Sequence, residues 1–186
     1  MKALWLINYL LTAWFTIDGS AESGLERVSG VYPVPPTNEN SLFYIQRSKN
    51  TNAIVYELNR KPNNTLDAEN PIKVYWIRYT SDSSTAALTS IQRKYAYGVL
   101  SRPYQGYHDS YVVQFAAYRK RNIFLMPNGN SGKYGAYVSI NGKMAELKKI
   151  FIATEGGTFW FPKIAYVELT GMDPSSGKHV VERFVP

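Results

Sequence analysis

Residues 134–154, YGAYVSINGKMAELKKIFIAT, decide the fold because they contain a β-hairpin signal at Asn141-Gly142. The dipeptide lies between two segments of strand-forming residues. A type I′ turn requires positive φ at both central residues, and Asn and Gly adopt that conformation most readily. We therefore predict two antiparallel strands, 134–140 and 143–154, joined by a two-residue turn.

The same strand pattern continues on both sides of this hairpin. It predicts further strands, each bounded by turn-forming residues, at 42–47, 52–60, 72–79, 110–118, 121–126, 164–170 and 178–184. Because nearly all connections are short, neighbouring strands are expected to be antiparallel. A meander of about nine strands avoids bare edges by closing into a barrel or folding into a sandwich. The predicted fold class is mostly β.

One segment has a helical period instead. Leu88, Ile91 and Tyr95 fall at i, i+3 and i+7, with Ser84 or Thr85 as a candidate N-cap and Gly98 as the stop. This pattern predicts one short α-helix over about residues 86–95. Because isolated short helices are marginal in water, we expect it to pack its apolar stripe against the sheet.

The first 21 residues have the layout of a secretory signal peptide. A lysine at position 2 precedes an apolar run over residues 3–17, and small residues at 19–21 suit cleavage after Ala21. The run is shorter than the roughly 20 residues that a membrane-spanning helix needs. We expect a periplasmic or secreted protein that does not span a membrane after removal of the signal. A retained anchor or a buried first helix is the alternative.

The remaining chain divides into a strap and one domain. Residues 22–41 include three prolines at positions 33–36, which favour an extended strap or linker. Residues 42–186 are then a single β-rich domain. The chain has no cysteine, so an exported domain of this kind depends on a hydrophobic core and not on disulfides.

The charge of the chain is basic, with 21 Lys and Arg against 14 Asp and Glu. Arg119, Lys120 and Arg121 cluster at a predicted hairpin tip near Tyr118 and Phe124, a pattern that suits acidic glycans or single-stranded nucleic acid. Export argues against nucleic acid. The alternative is a charged tip that prevents strand-edge pairing.

Catalytic and metal-binding motifs are weak. Two separated histidines and no cysteine give no metal-ligand spacing, and no cofactor is predicted. Glu57 and Glu168 lie in predicted strands, and His108 lies in a polar loop beside Asp109. We expect the two glutamates to face water. A hydrolase that uses Glu57, Glu168 or His108 stays an alternative.

Several blocks resemble a known family. LFYIQRSKNTN at 42–52, NPIKVYWI at 70–77, IQRKYAYG at 91–98 and YVEL at 166–169, with Gly171 and Gly177-Lys178, are similar to the domain-of-unknown-function family 4833 (DUF4833) of exported bacterial proteins. The resemblance extends over about residues 42–183. It implies export and a single domain, and it implies no reaction.

The same blocks contain six candidate ligand or polar-network residues: Arg47, Asn50, Asn52, Trp76, Arg93 and Tyr97. If the helix crosses one end of a barrel, the two arginines, the tryptophan and the tyrosine converge there. A buried Arg–Tyr–Trp network that attaches the helix to the sheet is the structural alternative.

We therefore expect a binding protein rather than an enzyme. Its ligand would be a small amphiphile held inside the barrel or an envelope glycan held on aromatic rings. An envelope assembly or interaction subunit, with an envelope protein as partner, is the alternative.

Overall fold

The computed structural model describes residues 32–129, 133–157 and 162–186. Their fold is mostly β: one sheet is curled into a half-barrel and is accompanied by one short helix. The predicted fold class is confirmed. The predicted signal peptide and the first part of the strap lie outside the described residues.

The described elements follow one another in this order: β1 (Ser41–Arg47), β2 (Asn50–Leu58), β3 (Ile72–Arg78), β4 (Ser84–Ala87), α1 (Ser90–Tyr95), β5 (Val99–Pro103), β6 (Tyr111–Phe115), β7 (Ile123–Pro127), β8 (Tyr134–Ile140), β9 (Lys143–Gly157), β10 (Pro162–Met172) and β11 (His179–Phe184).

The long strand β9 organises the sheet. One of its edges pairs with β8 through residues 143–146 and with β1 through residues 149–152. Its opposite edge pairs with β10, which in turn pairs with β11. Two arms, β1 to β4 and β8 to β5, therefore diverge from one strand, and their curvature produces the half-barrel.

The β1–β9 pair is parallel, from Tyr44 opposite Lys149 to Arg47 opposite Ile152. The expectation that neighbours are antiparallel is wrong for this pair. Short connections favour antiparallel neighbours, but β1 and β9 are far apart in sequence and no turn dictates their relative direction.

The β8–β9 hairpin forms as its turn residues predict. Ile140 pairs with Lys143, and the intervening Asn141 and Gly142 have φ values of 50° and 77°. Both values are positive, as a type I′ turn requires. The prediction of this hairpin is confirmed.

The helix begins later than its sequence pattern indicates. The proposed N-caps Ser84 and Thr85 lie in β4, and the N-cap is Thr89, which forms a reciprocal capping box with Gln92. The expected packing of an apolar stripe is also wrong, because Ile91 and Tyr95 are 55% and 64% exposed and α1 has no buried residue.

Gly98 ends the helical segment through a close backbone approach. A Cβ at this position would lie 1.8 Å from the carbonyl oxygen of Arg93. The amides of Ala96 and Tyr97 both donate to the carbonyl of Gln92. Only glycine allows the chain to turn back here and enter β5.

Aromatic rings connect the two arms of the sheet in the core. Phe43 of β1 stacks on Tyr56 of β2 with ring centroids 4.5 Å apart, and Phe115 of β6 meets both rings edge-on. Tyr56 is fully buried. These contacts place the hydrophobic core between the arms.

The described end of the strap lies against β1 and β9. The carbonyl of Pro33 accepts a hydrogen bond from the Gln46 side chain, and the Tyr32 ring meets Phe151 edge-on at 5.4 Å. Because side chains alternate along a strand, this packing occupies the face opposite to Arg47 and Ile152. The face that carries Arg47 is left to the inside of the half-barrel.

Candidate functional site

The concave face of the half-barrel bounds a cavity of about 660 Å³. This volume lies within the range of roughly 300–1,000 Å³ typical of small-molecule sites. Its wall is mainly apolar and includes Ile45, Phe115, Ile123, Val138, Ile150 and Val167. Strands from both arms, the β10–β11 hairpin and α1 all contribute to it.

Three candidate residues meet at one side of this cavity. The Arg47 Cζ lies 5.6 Å from the ring centroid of Trp76 and 5.5 Å from that of Tyr97. The two rings meet edge-on with centroids 5.4 Å apart. Both distances from the Arg47 Cζ to the ring centroids allow a cation–π interaction. The structure therefore brings together residues from β1, β3 and the segment after α1.

Two further residues hold this cluster in place. The Tyr56 hydroxyl donates to the Tyr97 carbonyl at 2.7 Å, and Trp76 Nε1 donates to Gln92 Oε1 at 3.3 Å. The same Gln92 oxygen accepts from the Thr89 amide. Our sequence interpretation missed both anchors, although Thr-x-x-Gln is a capping-box signature that identifies Gln92.

The electrostatics of the cavity are asymmetric. Of the described residues that line it, none is Asp or Glu, whereas Arg47 and Arg121 are cations. Arg121 is paired with Glu182. Arg47 has no ion-pair partner among the described residues, and its buried Nε has no hydrogen-bond partner there.

The environment of Tyr97 reflects the same asymmetry. Burial raises the pKa of the Tyr97 phenol, while the positive charge of Arg47 and a hydrogen bond with the Arg47 side chain act in the opposite direction. The phenol is therefore neutral at physiological pH, and it does not compensate the charge of Arg47. Within the described ranges, Arg47 is therefore a cavity cation without an ion-pair partner.

The other three candidates of this group lie elsewhere. Arg93 is exposed and lines a second concave region beside β3 and β4. The Asn50 side chain accepts from the Asn52 amide, and the Asn52 side chain accepts from the amide and hydroxyl of Thr80. Both asparagines therefore stabilise neighbouring turns and do not line the cavity with Arg47.

The three residues of the predicted basic cluster have different environments in the structure. Arg119 and Lys120 are exposed in the loop between β6 and β7. Arg121 instead donates to Glu182 at 2.6 Å and to the Ser139 carbonyl at 3.0 Å. The three residues therefore do not form one free basic surface.

Glu57 is buried, so the expectation that it faces water is wrong. Its Oε1 accepts from the Asn38 side chain at 2.6 Å. Burial, together with the neighbouring Glu57 carboxylate, raises the pKa of Tyr75 to about 12. These contacts give Glu57 a structural environment outside the cavity.

The other two hydrolase candidates are also separate from the cavity lining. Glu168 of β10 accepts from Arg183 on β11 at 2.7 Å. His108 Nδ1 lies 2.9 Å from Asp109 Oδ2 in an exposed loop. None of the three candidates Glu57, Glu168 and His108 lines the cavity.

Neither a metal centre nor a membrane helix is found in the part of the chain that the structure describes. No group of three or more His, Asp or Glu side chains there could hold a metal ion. No helix in those ranges has the length and apolar character that crossing a membrane requires.

The fold and cavity define a mostly β protein with one curled sheet and an internal apolar site. The family model described as Domain of unknown function (DUF4833) matches residues 43–183. The chain therefore belongs to this family, which confirms the resemblance of its sequence blocks. Searches of curated proteins and of solved structures each give no significant match.

Proposed function

We propose that this protein is exported and binds a small amphiphile in the half-barrel cavity. One observation carries the proposal: an apolar cavity of about 660 Å³ has, beside two aromatic rings, an arginine without an ion-pair partner among the described residues. Ligand pockets of this kind combine apolar walls with a few placed polar groups. Export rests on the sequence of residues 1–21.

The apolar wall supplies the driving force for binding. Each CH₂ group that leaves water contributes about 0.8 kcal/mol. A chain of about ten carbons therefore gains several kcal/mol, which offsets the loss of translational and rotational freedom on association.

The entrance lies at α1 in this proposal. Ile91 and Tyr95 line the cavity and are also more than half exposed. Apolar side chains that face both the cavity and the solvent suit the passage of an apolar chain. The exposure of these two helix residues, which the sequence did not predict, is then explained by their position at the entrance.

An envelope glycan is the second candidate ligand, favoured by a separate surface. Tyr104 stacks on Tyr107 with ring centroids 4.4 Å apart, and Phe124 lies 5.1 Å from Tyr104. Tyr107 is 58% exposed. Apolar sugar faces stack on rings of this kind, so loss of glycan binding in Tyr107→Ala, with cavity binding retained, would favour this candidate.

Native mass spectrometry tests the main proposal. The full chain is expressed in a bacterium, recovered without detergent and measured under native and denaturing conditions. We expect a discrete added mass that denaturation releases, on a polypeptide that begins at Glu22. A ligand-free native mass, together with no uptake of added decanoate or decanol, would contradict the binding proposal. An intact N-terminus in the recovered chain would contradict cleavage.

A further inference from the structure

We infer that the amphiphile is anionic and that Arg47 binds its carboxylate headgroup. This inference rests on the proposed function and adds the chemical class of the ligand. Arg47 lies at the end of β1 and lines the cavity, and its guanidinium contacts the rings of Trp76 and Tyr97, which also line it. Three features of the cavity support this inference: the charge of Arg47, its planar guanidinium and the direction of the apolar wall.

Arg47 is only partly exposed, and its charge has no carboxylate partner in the part of the chain that the structure describes. An arginine side chain stays protonated in proteins, and a cation in apolar surroundings is costly unless it is paired. The rings of Trp76 and Tyr97 contribute part of that compensation. Among the described residues no carboxylate does so, whereas Arg121 on the same cavity is paired with Glu182.

The guanidinium of Arg47 selects the kind of partner. Its Nε is buried and has no hydrogen-bond partner among the described residues. The two terminal nitrogens of the planar guanidinium form another edge, whose N–H groups match the two oxygens of a carboxylate. A neutral alcohol headgroup cannot supply both the charge and the two acceptors.

The direction of the wall matches an alkyl chain attached to that headgroup. Arg47 pairs with Ile152, and two residues further along the strands Ile45 pairs with Ile150. All four side chains line the cavity, which continues to Val138 on β8. Two residues along a strand span about 6.6 Å. A headgroup at Arg47 therefore places its chain along a continuous apolar row.

Isothermal titration calorimetry with decanoate, decanol and decylammonium at neutral pH tests the inference on the full-length protein. We expect decanoate to bind at least about tenfold more tightly than decanol, because charged hydrogen bonds are worth that much or more. Decylammonium should bind most weakly. Equal affinities for decanoate and decanol would overturn the anionic headgroup and leave the cavity proposal intact. Absence of binding by all three would overturn both.

Two variants that each remove one positive charge test whether Arg47 causes the preference for decanoate. Arg47→Gln should reduce decanoate affinity about tenfold and leave decanol affinity within about threefold. Arg93→Gln is the matched control, because Arg93 is exposed outside this cavity; it should change neither affinity. An equal loss in both variants would overturn the role of Arg47. If Arg47→Gln does not fold, the headgroup comparison on the unaltered protein still decides.

Discussion

The guanidinium of Arg121 donates to the carboxylate of Glu182 over 2.6 Å, and this bond ties the β6–β7 loop to the last strand. The second oxygen of Glu182 accepts from the Asn141 amide in the β8–β9 turn at 2.7 Å. One carboxylate therefore joins three segments. Because β11 and its partner β10 form part of the cavity wall, this junction also supports the proposed binding site.

Replacing Glu182 should destabilise the fold. Glu182→Ala leaves both the Arg121 guanidinium and the Asn141 amide without this partner, and the pair is only 28% and 18% exposed. We expect the free energy of unfolding to fall by about 2–3 kcal/mol, measured by urea denaturation. The control Glu155→Ala removes a more exposed pair with Lys163 and should lower the free energy of unfolding clearly less, because exposed ion pairs contribute little. Equal losses would contradict the junction.

The same junction predicts an acid-sensitive step in stability. The hydrogen bond from Arg121 lowers the pKa of Glu182 from its usual value of 4.5. A carboxylate with a lowered folded-state pKa contributes stability above its unfolded pKa and loses it as pH falls through the folded value. Unfolding followed from pH 5 downwards should therefore show a decline that Glu182→Gln reduces. Identical pH profiles for the two proteins would be inconsistent with this assignment.

Tyr56 connects the core to the site through a single hydrogen bond. Tyr56→Phe keeps the ring stack with Phe43 but removes the donor to the Tyr97 carbonyl. We expect a loss of about 1–2 kcal/mol in the free energy of unfolding and a few-fold weaker binding of decanoate. Tyr44→Phe is the control, because no hydrogen bond from the Tyr44 hydroxyl is found among the described residues. A Tyr56→Phe protein as stable as this control would refute the link.

Gly98 should not tolerate even alanine. The added Cβ would lie 1.8 Å from the Arg93 carbonyl oxygen, so the backbone between α1 and β5 has to move. Overpacking of this kind costs about 1–3 kcal/mol or more. Thermal denaturation of Gly98→Ala should show that loss. The control Arg93→Ala shortens only an exposed side chain and should unfold at nearly the same temperature as the unaltered protein. Equal unfolding temperatures for Gly98→Ala and this control would contradict the close approach at Gly98.

The parts of the fold that depend on local signals could be predicted from the sequence. Asn141-Gly142 requires a particular turn, and the structure has it. Strands β4 and β5 were missed because Ser84–Ala87 consists of small and polar residues and Val99–Pro103 is short. These two segments are strands because they pair with β3 and β6, respectively. The parallel pairing of β1 with β9 is likewise a tertiary outcome.

The candidate site likewise has parts that the sequence could predict and parts that depend on tertiary structure. A hypothesis about the helix position groups Arg47, Trp76, Arg93 and Tyr97, and three of these residues, all but Arg93, do lie together. Arg93 does not join them, because successive helix residues point about 100° apart and it is the neighbouring Gln92 that contacts Trp76. The late helix start at Thr89 determines which residue faces the site, and the capping box was the signal for it.

The most direct test of the central claim is methyl NMR of protein labelled at its isoleucines, titrated with decanoate. The isoleucines that line the cavity are Ile45, Ile91, Ile123, Ile150, Ile152 and Ile164, whereas Ile54 and Ile140 are buried elsewhere in the core. We predict saturable shifts of the six cavity methyls and little change at Ile54 and Ile140. Unchanged cavity methyls at saturating decanoate and decanol would contradict the account.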